Sequence, residues 1–299
     1  MMPTIFTRNP VRDHLSRIYK VTWLSLQRGA EARSNKDDFE EEERLSDVDH
    51  KLDQVLTELV KYFSRLDRLV ADKTEQFQKG WFLSFLANDR TGPLSIAAID
   101  KDSERSALTA IFEKFNMAPD SYKGQLEQHL ELAERAMAAY RSDGGIKFTD
   151  FLIAYDVMRL HSLVEQWQRL QESQKEIYLP KTEFIRIASD MLFRKRIDVN
   201  RSNQVIIAHD DGNKIPVSSL SSGEKQLLIF LSETLLQEQE PYLFMADEPE
   251  LSLHVEWQEE LVPNLLKINP NAQVLFATHS PDIVNIYQNN IHKMEELIG

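Results

Sequence analysis

Two adjacent carboxylates and a histidine follow apolar runs in the last third of the sequence. Asp247 and Glu248 come directly after the run at residues 242–246, and His279 follows a second run at 273–277. If both runs are strands of a parallel sheet, their carboxyl ends face the crevice where such sheets bind ligands. There Asp247 could hold Mg²⁺ directly or through water, and Glu248 could deprotonate an attacking water. His279 could donate a hydrogen bond to a terminal phosphate.

A Ser-Ser-Gly sequence at the start of an apolar helix is a second candidate site. Ser221, Ser222, Gly223 and Glu224 precede a leucine-rich run. The first turn of a helix leaves backbone N–H groups unpaired and carries the positive end of the helix dipole, so it can bind a phosphate. A serine followed three residues later by a glutamate is equally typical of an ordinary capping box.

The Asp-Glu pair and the histidine also have structural explanations that involve no catalytic or binding role. An apolar run that ends in Asp-Glu is often a strand leaving the core, and a lone histidine at a strand end is more often structural. Their order favours function, because residues suited to an anion, a metal and a proton follow one another within about sixty positions. Pro249 is expected to restrict Glu248 to an extended backbone.

Helices and strands alternate after residue 180, which predicts how these residues are positioned. The expected elements are strands at 196–200 and 204–208, a hairpin turn at 210–213, a helix from Ser221, a strand at 242–246, a helix at about 255–267 and a strand at 273–277. Helices that alternate with apolar strands are typical of a parallel sheet covered by helices. The predicted fold class is therefore α/β.

The middle of the chain is predicted to be helical and carries no recognisable chemistry. Over residues 45–69, apolar side chains recur every three or four positions, as in a helix that packs through one face. A helical-bundle core explains this seam better than an extended coiled coil, because the seam ends after about four heptads. Further helices are expected at 103–116, 121–142 and 147–175.

Two short segments precede this helical block. Residues 22–26 are apolar and rich in β-forming residues, which predicts one strand. Residues 31–50 hold nine acidic and three basic side chains. This local excess of negative charge predicts a solvated lead-in or a mobile loop.

Composition excludes several classes of protein. The 299 residues include no cysteine, which excludes a disulfide scaffold, a thiolate nucleophile and a Cys-ligated metal site. Lys and Arg number 35 against 48 Asp and Glu, and the net charge of −13 argues against broad coating of nucleic acid, although it permits a local basic stripe. No apolar run approaches the ~20 residues of a membrane helix, and the first nine residues lack the apolar core of a signal peptide. We therefore expect a soluble, cytoplasmic protein without a membrane partner.

In order and spacing, the motifs resemble the C-terminal half of an ABC-type ATPase head. Residues 220–226 resemble the signature loop, residues 242–248 the Walker B strand, residues 250–254 the D-loop, and His279 the switch histidine. The sequences DEPE, LSLH, WQ and ATHSP are similar to those of stand-alone bacterial ATPases of the overcoming-lysogenization-defect and AbiEii-like groups. The resemblance spans about residues 181–285, and four ordered motifs make it specific.

The resemblance implies a P-loop NTPase fold of the ABC type with a large helical insertion, and ATP and Mg²⁺ as ligands. It implies that Asp247 holds Mg²⁺, that Glu248 is the general base and that His279 contacts the γ-phosphate. In this family ATP is sandwiched between two heads. The residues that would contact the nucleotide of the opposing head are those of the signature loop, Ser221, Ser222, Gly223 and Glu224. The D-loop residues are Leu251, Ser252, Leu253 and His254.

One element of the family does not occur in the sequence. The phosphate-binding Walker A loop has the pattern GxxxxGK[ST], and no glycine here is followed by Lys-Ser or Lys-Thr. Without this loop the chain alone should bind ATP poorly and be inactive. We expect a missing segment or a partner to supply it. In this domain map, residues 1–30 are a remnant of the ATPase lobe, 31–180 the helical insertion and 181–299 the lobe that carries the motifs.

The predicted function is an ATPase whose heads dimerise on ATP and drive a conformational change. The implied partners are a second copy or a protein carrying the Walker A lobe, together with an effector protein, and the resemblance implies antiphage defence or a DNA-linked process. The alternative is a non-catalytic ATPase fragment that acts as a protein-interaction module. A nuclease of the overcoming-lysogenization-defect type is disfavoured, because few residues follow His279 for the nuclease domain that such proteins append.

Overall fold

The computed structural model describes residues 20–24, 37–86, 100–141 and 147–294. These residues form two compact units. One unit contains the described residues up to Leu66 and those from Tyr178 onward, and the other is Asp67–Ile177. Two long helices each contribute to both units.

In chain order the elements are β1 (Lys20–Leu24), α1 (Asp37–Leu86), α2 (Lys101–Lys114), α3 (Pro119–Arg141), α4 (Phe148–Met191), β2 (Lys195–Val199), β3 (Val205–His209), β4 (Lys214–Ile215), α5 (Ser222–Leu235), β5 (Tyr242–Asp247), α6 (Val255–Ile268), β6 (Ala272–Ala277) and the short helix α7 (Pro281–Val284). Two 3₁₀ turns lie at Val217–Ser219 and Asn285–Asn290. The predicted strand near residue 22 and the strands and helices expected after residue 180 are confirmed to within a few residues. None of the described helices is both long and apolar enough to cross a membrane.

The first unit is built on a parallel sheet in which β5 lies between β1 and β6. The ring of Phe244 in β5 contacts the rings of Phe230 in α5 and Phe276 in β6, each with a centroid distance of 6.1 Å. Helix α5 is buried at every position from Gly223 to Ser232. A parallel sheet needs such a helical cover because its strands are apolar on both faces. The predicted α/β fold with a large helical segment before its motifs is confirmed.

A second, antiparallel sheet of the same unit has the strand order β2-β3-β4. The turn between β3 and β4 contains Gly212 with a φ of +87°, a conformation that glycine adopts without a steric penalty. Asn213 donates its backbone N–H to Asp211 Oδ1 at 2.9 Å, which stabilises the turn. The predicted hairpin is therefore confirmed.

The first part of α1 contributes its apolar seam to the core of the first unit. Leu52, Val55, Leu59, Tyr62 and Leu66 are all buried. The burial ends there, since Leu69 is 46% exposed. This short stripe supports the interpretation of the seam as a core-packing face rather than an extended coiled coil.

The expectation of a loop over the acidic segment is wrong for its described part. Residues 37–50 belong to α1, and residues 31–36 lie outside the described part of the chain. Glutamate is a good helix former, and acidic side chains are stabilised near the positive end of the helix dipole. A run of acidic residues that leads into an apolar seam therefore extends the helix instead of preceding it.

The described residues of the second unit form helices joined by short non-helical segments, such as residues 115–118. Its core joins Leu108 of α2, Tyr122, Leu126 and Leu130 of α3, and Val164 of α4. No strand occurs in the described part of the interval 45–175, as predicted; residues 87–99 and 142–146 lie outside it. The boundaries of the two compact units, at Leu66 and Tyr178, do not coincide with the expected helical insertion at 31–180. The first part of α1 belongs to the first unit, and α4 continues through Pro180.

Candidate functional site

The predicted metal ligand, base and switch histidine lie at one edge of the parallel sheet. Asp247 ends β5 and pairs in register with Ala277, the last residue of β6. The backbone N–H of Glu248 donates to the carbonyl oxygen of Ala277 at 2.7 Å, so the strand ends are joined one residue beyond the sheet. Asp247 and Glu248 are half-buried, whereas His279 is exposed. An acid pair and an imidazole can therefore be presented together to a ligand at this edge.

The backbone of Glu248 is in an unusual conformation. Its φ is +46°, a region that residues with a β-carbon rarely occupy. The expectation that Pro249 keeps Glu248 extended is wrong. The hydrogen bond to Ala277 holds one side of the turn, and Gln226 Nε2 donates to the carbonyl oxygen of Pro249 at 3.0 Å on the other. Strain that is held by surrounding contacts is common at functional sites.

The loop after β6 is fixed by side chains from the Walker B and D-loop region. Glu250 Oε1 accepts hydrogen bonds from the backbone N–H groups of His279 at 2.8 Å and Ser280 at 3.1 Å. Ser280 Oγ donates to Gln258 Oε1 at 2.6 Å, and Gln258 Nε2 donates to the carbonyl oxygen of Leu253 at 2.9 Å. The histidine loop and the D-loop are thus connected through side chains.

The Ser-Ser-Gly sequence begins α5 with a complete capping box. Glu224 donates its backbone N–H to Ser221 Oγ at 3.3 Å, and Ser221 donates its backbone N–H to Glu224 Oε2 at 2.9 Å. Ser221 and Ser222 are exposed, whereas Gly223 and Glu224 are buried. The exposed hydroxyls at the helix start are the groups available to an approaching anion.

The carboxylate of Glu224 is directed inward and forms an ion pair with Lys195 of β2. Burial raises the pKa of Glu224, but the hydrogen bonds from Lys195 and Ser221 outweigh this effect and hold the pKa below its usual value. Glu224 therefore stays negatively charged and fixes the start of α5 within its own unit.

The signature loop is in close contact with the D-loop. A β-carbon at Gly223 would lie less than 3.0 Å from the backbone oxygen of Ser252 and 3.3 Å from the ring of Trp257. Ser252 has a φ of +73°, Leu251 and His254 are exposed, and Leu253 is buried. Ser221, Ser222, Leu251 and Ser252 thus belong to neighbouring exposed loops.

Sequence reasoning missed three contacts that hold the site together. Glu250 and Gln258 lie inside the DEPE and WQ motifs, so the sequence pointed to these two residues. It did not indicate which residues they contact. Lys195 gave none, because it lies 29 positions before its partner Glu224 and in a different element. Contacts of this kind depend on tertiary packing.

The donor set at the sheet edge fits Mg²⁺ bound together with a nucleotide. Among the described residues, no group of three or more His, Asp or Glu side chains is arranged to hold a metal ion alone. Mg²⁺ in nucleotide sites commonly takes one or two protein carboxylates and completes its octahedron with water and phosphate oxygens. The half-buried carboxylate of Asp247, beside Glu248, meets that requirement.

Comparisons with known proteins give several similarities of different extent. The chain is 34% identical over 82 residues to the "Retron Vc95 probable ATPase" of Vibrio cholerae serotype O1 biovar El Tor, which covers 24% of this chain and 16% of that protein. It is 25% identical over 130 residues to the "Retron Ec83 probable ATPase" of Escherichia coli, covering 38% of this chain and 24% of that protein. The matches thus span a quarter or less of these relatives.

Solved structures with some similarity are heads of Smc proteins. An Smc head bound to the C-terminal winged-helix domain of ScpA matches 38% of this chain and 40% of that chain with a TM-score of 0.30 and 16% identity. The Pyrococcus yayanosii Smc head with a coiled coil and joint matches 81% of this chain and 61% of that chain with a TM-score of 0.28 and 14% identity.

A family model matches most of the chain. The model described as "AAA domain, putative AbiEii toxin, Type IV TA system" matches residues 20–285, which include β1, the helical segment and every motif of the candidate site. The resemblance of the motifs to AbiEii-like ATPases predicted this outcome. The chain therefore belongs to this AAA-domain family of bacterial ATPase-like proteins.

Proposed function

We propose that this chain is the part of an ABC-type ATPase head that carries the metal ligand, the general base and the switch histidine. Asp247 would hold Mg²⁺, Glu248 would take a proton from the attacking water, and His279 would donate a hydrogen bond to the γ-phosphate. The metal, when bound with ATP, would neutralise charge on the phosphate oxygens. The observation that carries this proposal is the shared sheet edge of these residues, joined by the hydrogen bond from Glu248 to Ala277.

The signature loop would act on nucleotide held by a second head. Ser221 and Ser222 are exposed at the start of a 14-residue helix, where hydroxyl and backbone N–H groups can bind a phosphate. The D-loop lies beside them, as the packing of Ser252 against Gly223 requires. Because both loops are exposed together, a second copy or a related head could contact them at once. We propose that the carboxylate of Glu224 supports this surface from inside rather than touching the nucleotide.

The phosphate-binding loop would come from a segment outside the 299 residues or from a partner. The sequence contains no GxxxxGK[ST]. Among the described residues, strand β6 is also exposed on one face of the parallel sheet, since Gln273, Leu275 and Ala277 are exposed and Leu275 is 50% exposed. Parallel sheets are normally covered on both faces. A lobe that packs against this face could deliver the loop to the nearby strand ends.

The output would be a movement of α1. Buried Lys225, one turn into α5, has its Nζ 2.6 Å from Asp49 of α1, and Glu233 of α5 lies 2.5 Å from Lys51 of α1. A shift of the signature helix on head pairing would therefore act directly on α1. We propose that this motion controls an effector, in line with the retron ATPases and the AbiEii toxin family named above; antiphage defence is the proposed setting.

The test is Mg²⁺-dependent ATP hydrolysis by the chain alone and by the chain joined to a GxxxxGK[ST] segment from its own reading frame or from a co-expressed partner. We expect negligible turnover by the chain alone and Mg²⁺-dependent turnover by the completed head. Nucleotide binding without hydrolysis in the completed head would favour the non-catalytic interaction module. Turnover by the chain alone that disappears in Glu248→Gln would contradict the need for an added loop.

A further inference from the structure

The side chain of Glu250 connects the two strand ends that form the candidate site. Glu250 follows Glu248 by two residues, and its Oε1 accepts hydrogen bonds from the N–H groups of His279 at 2.8 Å and Ser280 at 3.1 Å. These two residues follow β6, whereas Glu250 follows β5. A single carboxylate oxygen therefore joins the turn that carries Glu248 to the histidine loop, in addition to the hydrogen bond from Glu248 to Ala277.

Ser280 has further anchors that do not depend on Glu250. Its N–H also lies 3.0 Å from Thr278 Oγ1, and its Oγ donates to Gln258 Oε1 at 2.6 Å. Its Oγ additionally accepts hydrogen bonds from Asp282 and Ile283 and so caps α7. Loss of the Glu250 carboxylate would thus release the backbone of His279 while Ser280 and α7 stay in place.

The second oxygen of Glu250 indicates that a contribution to folding stability is not the only reason for a glutamate at this position. Oε2 is buried and has no hydrogen-bond partner among the described residues. A buried acceptor without a partner costs free energy, because it has lost its contact with water. A residue that carries this cost while its other oxygen holds two backbone groups is typical of a site where geometry matters more than stability.

We propose that Glu250 is a positioning residue for His279. It fixes the backbone from which the imidazole projects, and it thereby sets where the ring meets the terminal phosphate opposite Glu248. The role rests on the ATPase function proposed above. Glu250 itself touches no reacting atom. Its acceptor oxygen, not its negative charge, carries the role, so a glutamine should replace it and an alanine should not.

The first test needs no activity. Backbone amide exchange of His279 is measured in the purified chain and in Glu250→Ala, Glu250→Gln and Glu259→Ala, where Glu259 is an exposed acid of α6. We expect exchange about tenfold faster in the alanine variant, because the amide loses the hydrogen bond that protects it. The glutamine and Glu259 variants should exchange at nearly the unmodified rate. Unchanged exchange in Glu250→Ala would overturn the proposal.

The second test uses the head completed with its phosphate-binding loop. Glu250→Ala should lower kcat by about 10- to 100-fold, the size expected for a misplaced group, while KM for ATP stays nearly constant. Glu250→Gln should restore most of kcat. Equal loss in both variants, or a loss that tracks a fall in Tm, would overturn the positioning role. If the unmodified completed head does not hydrolyse ATP, the proposed function is wrong, while the amide exchange still decides whether Glu250 holds His279.

Discussion

Gly223 and Ser252 approach so closely that no side chain fits between them. A β-carbon at Gly223 would lie less than 3.0 Å from the backbone oxygen of Ser252. The glycine is required here for space, since Gly223 is buried in the first turn of a regular helix. Through this contact the start of α5 packs directly against the D-loop. A displacement of one must therefore move the other.

The substitution Gly223→Ala should therefore destabilise the first unit. The added methyl group meets backbone, which cannot rotate away, and overpacking of this kind costs about 1 to 3 kcal/mol. Chemical denaturation of the purified variant measures the loss. The matched control is Gly124→Ala in α3, where a β-carbon would meet nothing within 4 Å. That control should be neutral or stabilising by up to about 1 kcal/mol, and equal effects at both positions would show that the contact with Ser252 is misplaced.

The ion pair between Lys225 and Asp49 gives a second prediction. The Lys225 side chain is only 5% exposed, so Asp49→Ala would leave a buried ammonium group without its partner. We expect a loss of about 1 to 3 kcal/mol in the free energy of unfolding. Asp53→Ala, an exposed acid one turn further along α1, is the control and should change it by less than about 0.5 kcal/mol. Identical stabilities of the two variants would argue against α1 packing on the signature helix in this way.

The acid dependence of stability gives a third prediction. The pKa of Glu224 is lower in the folded chain than in the unfolded chain, because hydrogen bonds from Lys195 and Ser221 outweigh the effect of burial. The stability that this carboxylate contributes is therefore present above its unfolded pKa of about 4.3 and is lost as the pH falls through the folded value. Between pH 5 and pH 3 the unfolding free energy should fall less steeply in Lys195→Met than in the unmodified chain.

Exposed Lys214 of β4 offers the control for that experiment. Lys214→Met removes the same charge from the same sheet but does not affect Glu224, so its pH profile should be parallel to that of the unmodified chain. At neutral pH, Lys195→Met should lose about 1 to 3 kcal/mol, since the buried carboxylate loses a charged donor. Parallel profiles for all three proteins would show that Glu224 does not contribute to the acid dependence of stability.

Local patterns were enough to predict most of the strands and helices that carry the motifs. The apolar strand before Asp247, the hairpin around Gly212 and the helix that starts at Ser221 each depend on a few neighbouring residues. The positive φ of Glu248 could not be predicted from Pro249, because it accompanies a hydrogen bond that the Glu248 N–H donates to Ala277 at the end of the neighbouring strand.

Contacts over long sequence separations account for the other differences. The ion pairs that join α1 to α5 connect residues more than 170 positions apart, so no local signal places the first part of α1 in the same unit as α5. The helical conformation of the acidic residues 37–50 also depends on packing outside the segment itself. Charge alone predicts solvation, but the apolar seam that follows supplies the packing that lets the helix extend into it.

The most direct test of the central claim compares Glu248→Gln with Ser221→Arg in the head completed with its phosphate-binding loop. Glu248→Gln keeps the size of the side chain and leaves Asp247 to hold the metal, so ATP binding should persist while hydrolysis slows by about 10²- to 10⁴-fold. In the proposed function, the small hydroxyl of Ser221 approaches the phosphate of the opposing head, and Ser221→Arg would place a large cation there. Light scattering with ATP should therefore find dimers that accumulate in Glu248→Gln and monomers in Ser221→Arg. Unchanged hydrolysis in Glu248→Gln, or the same oligomeric state in both variants, would contradict the account.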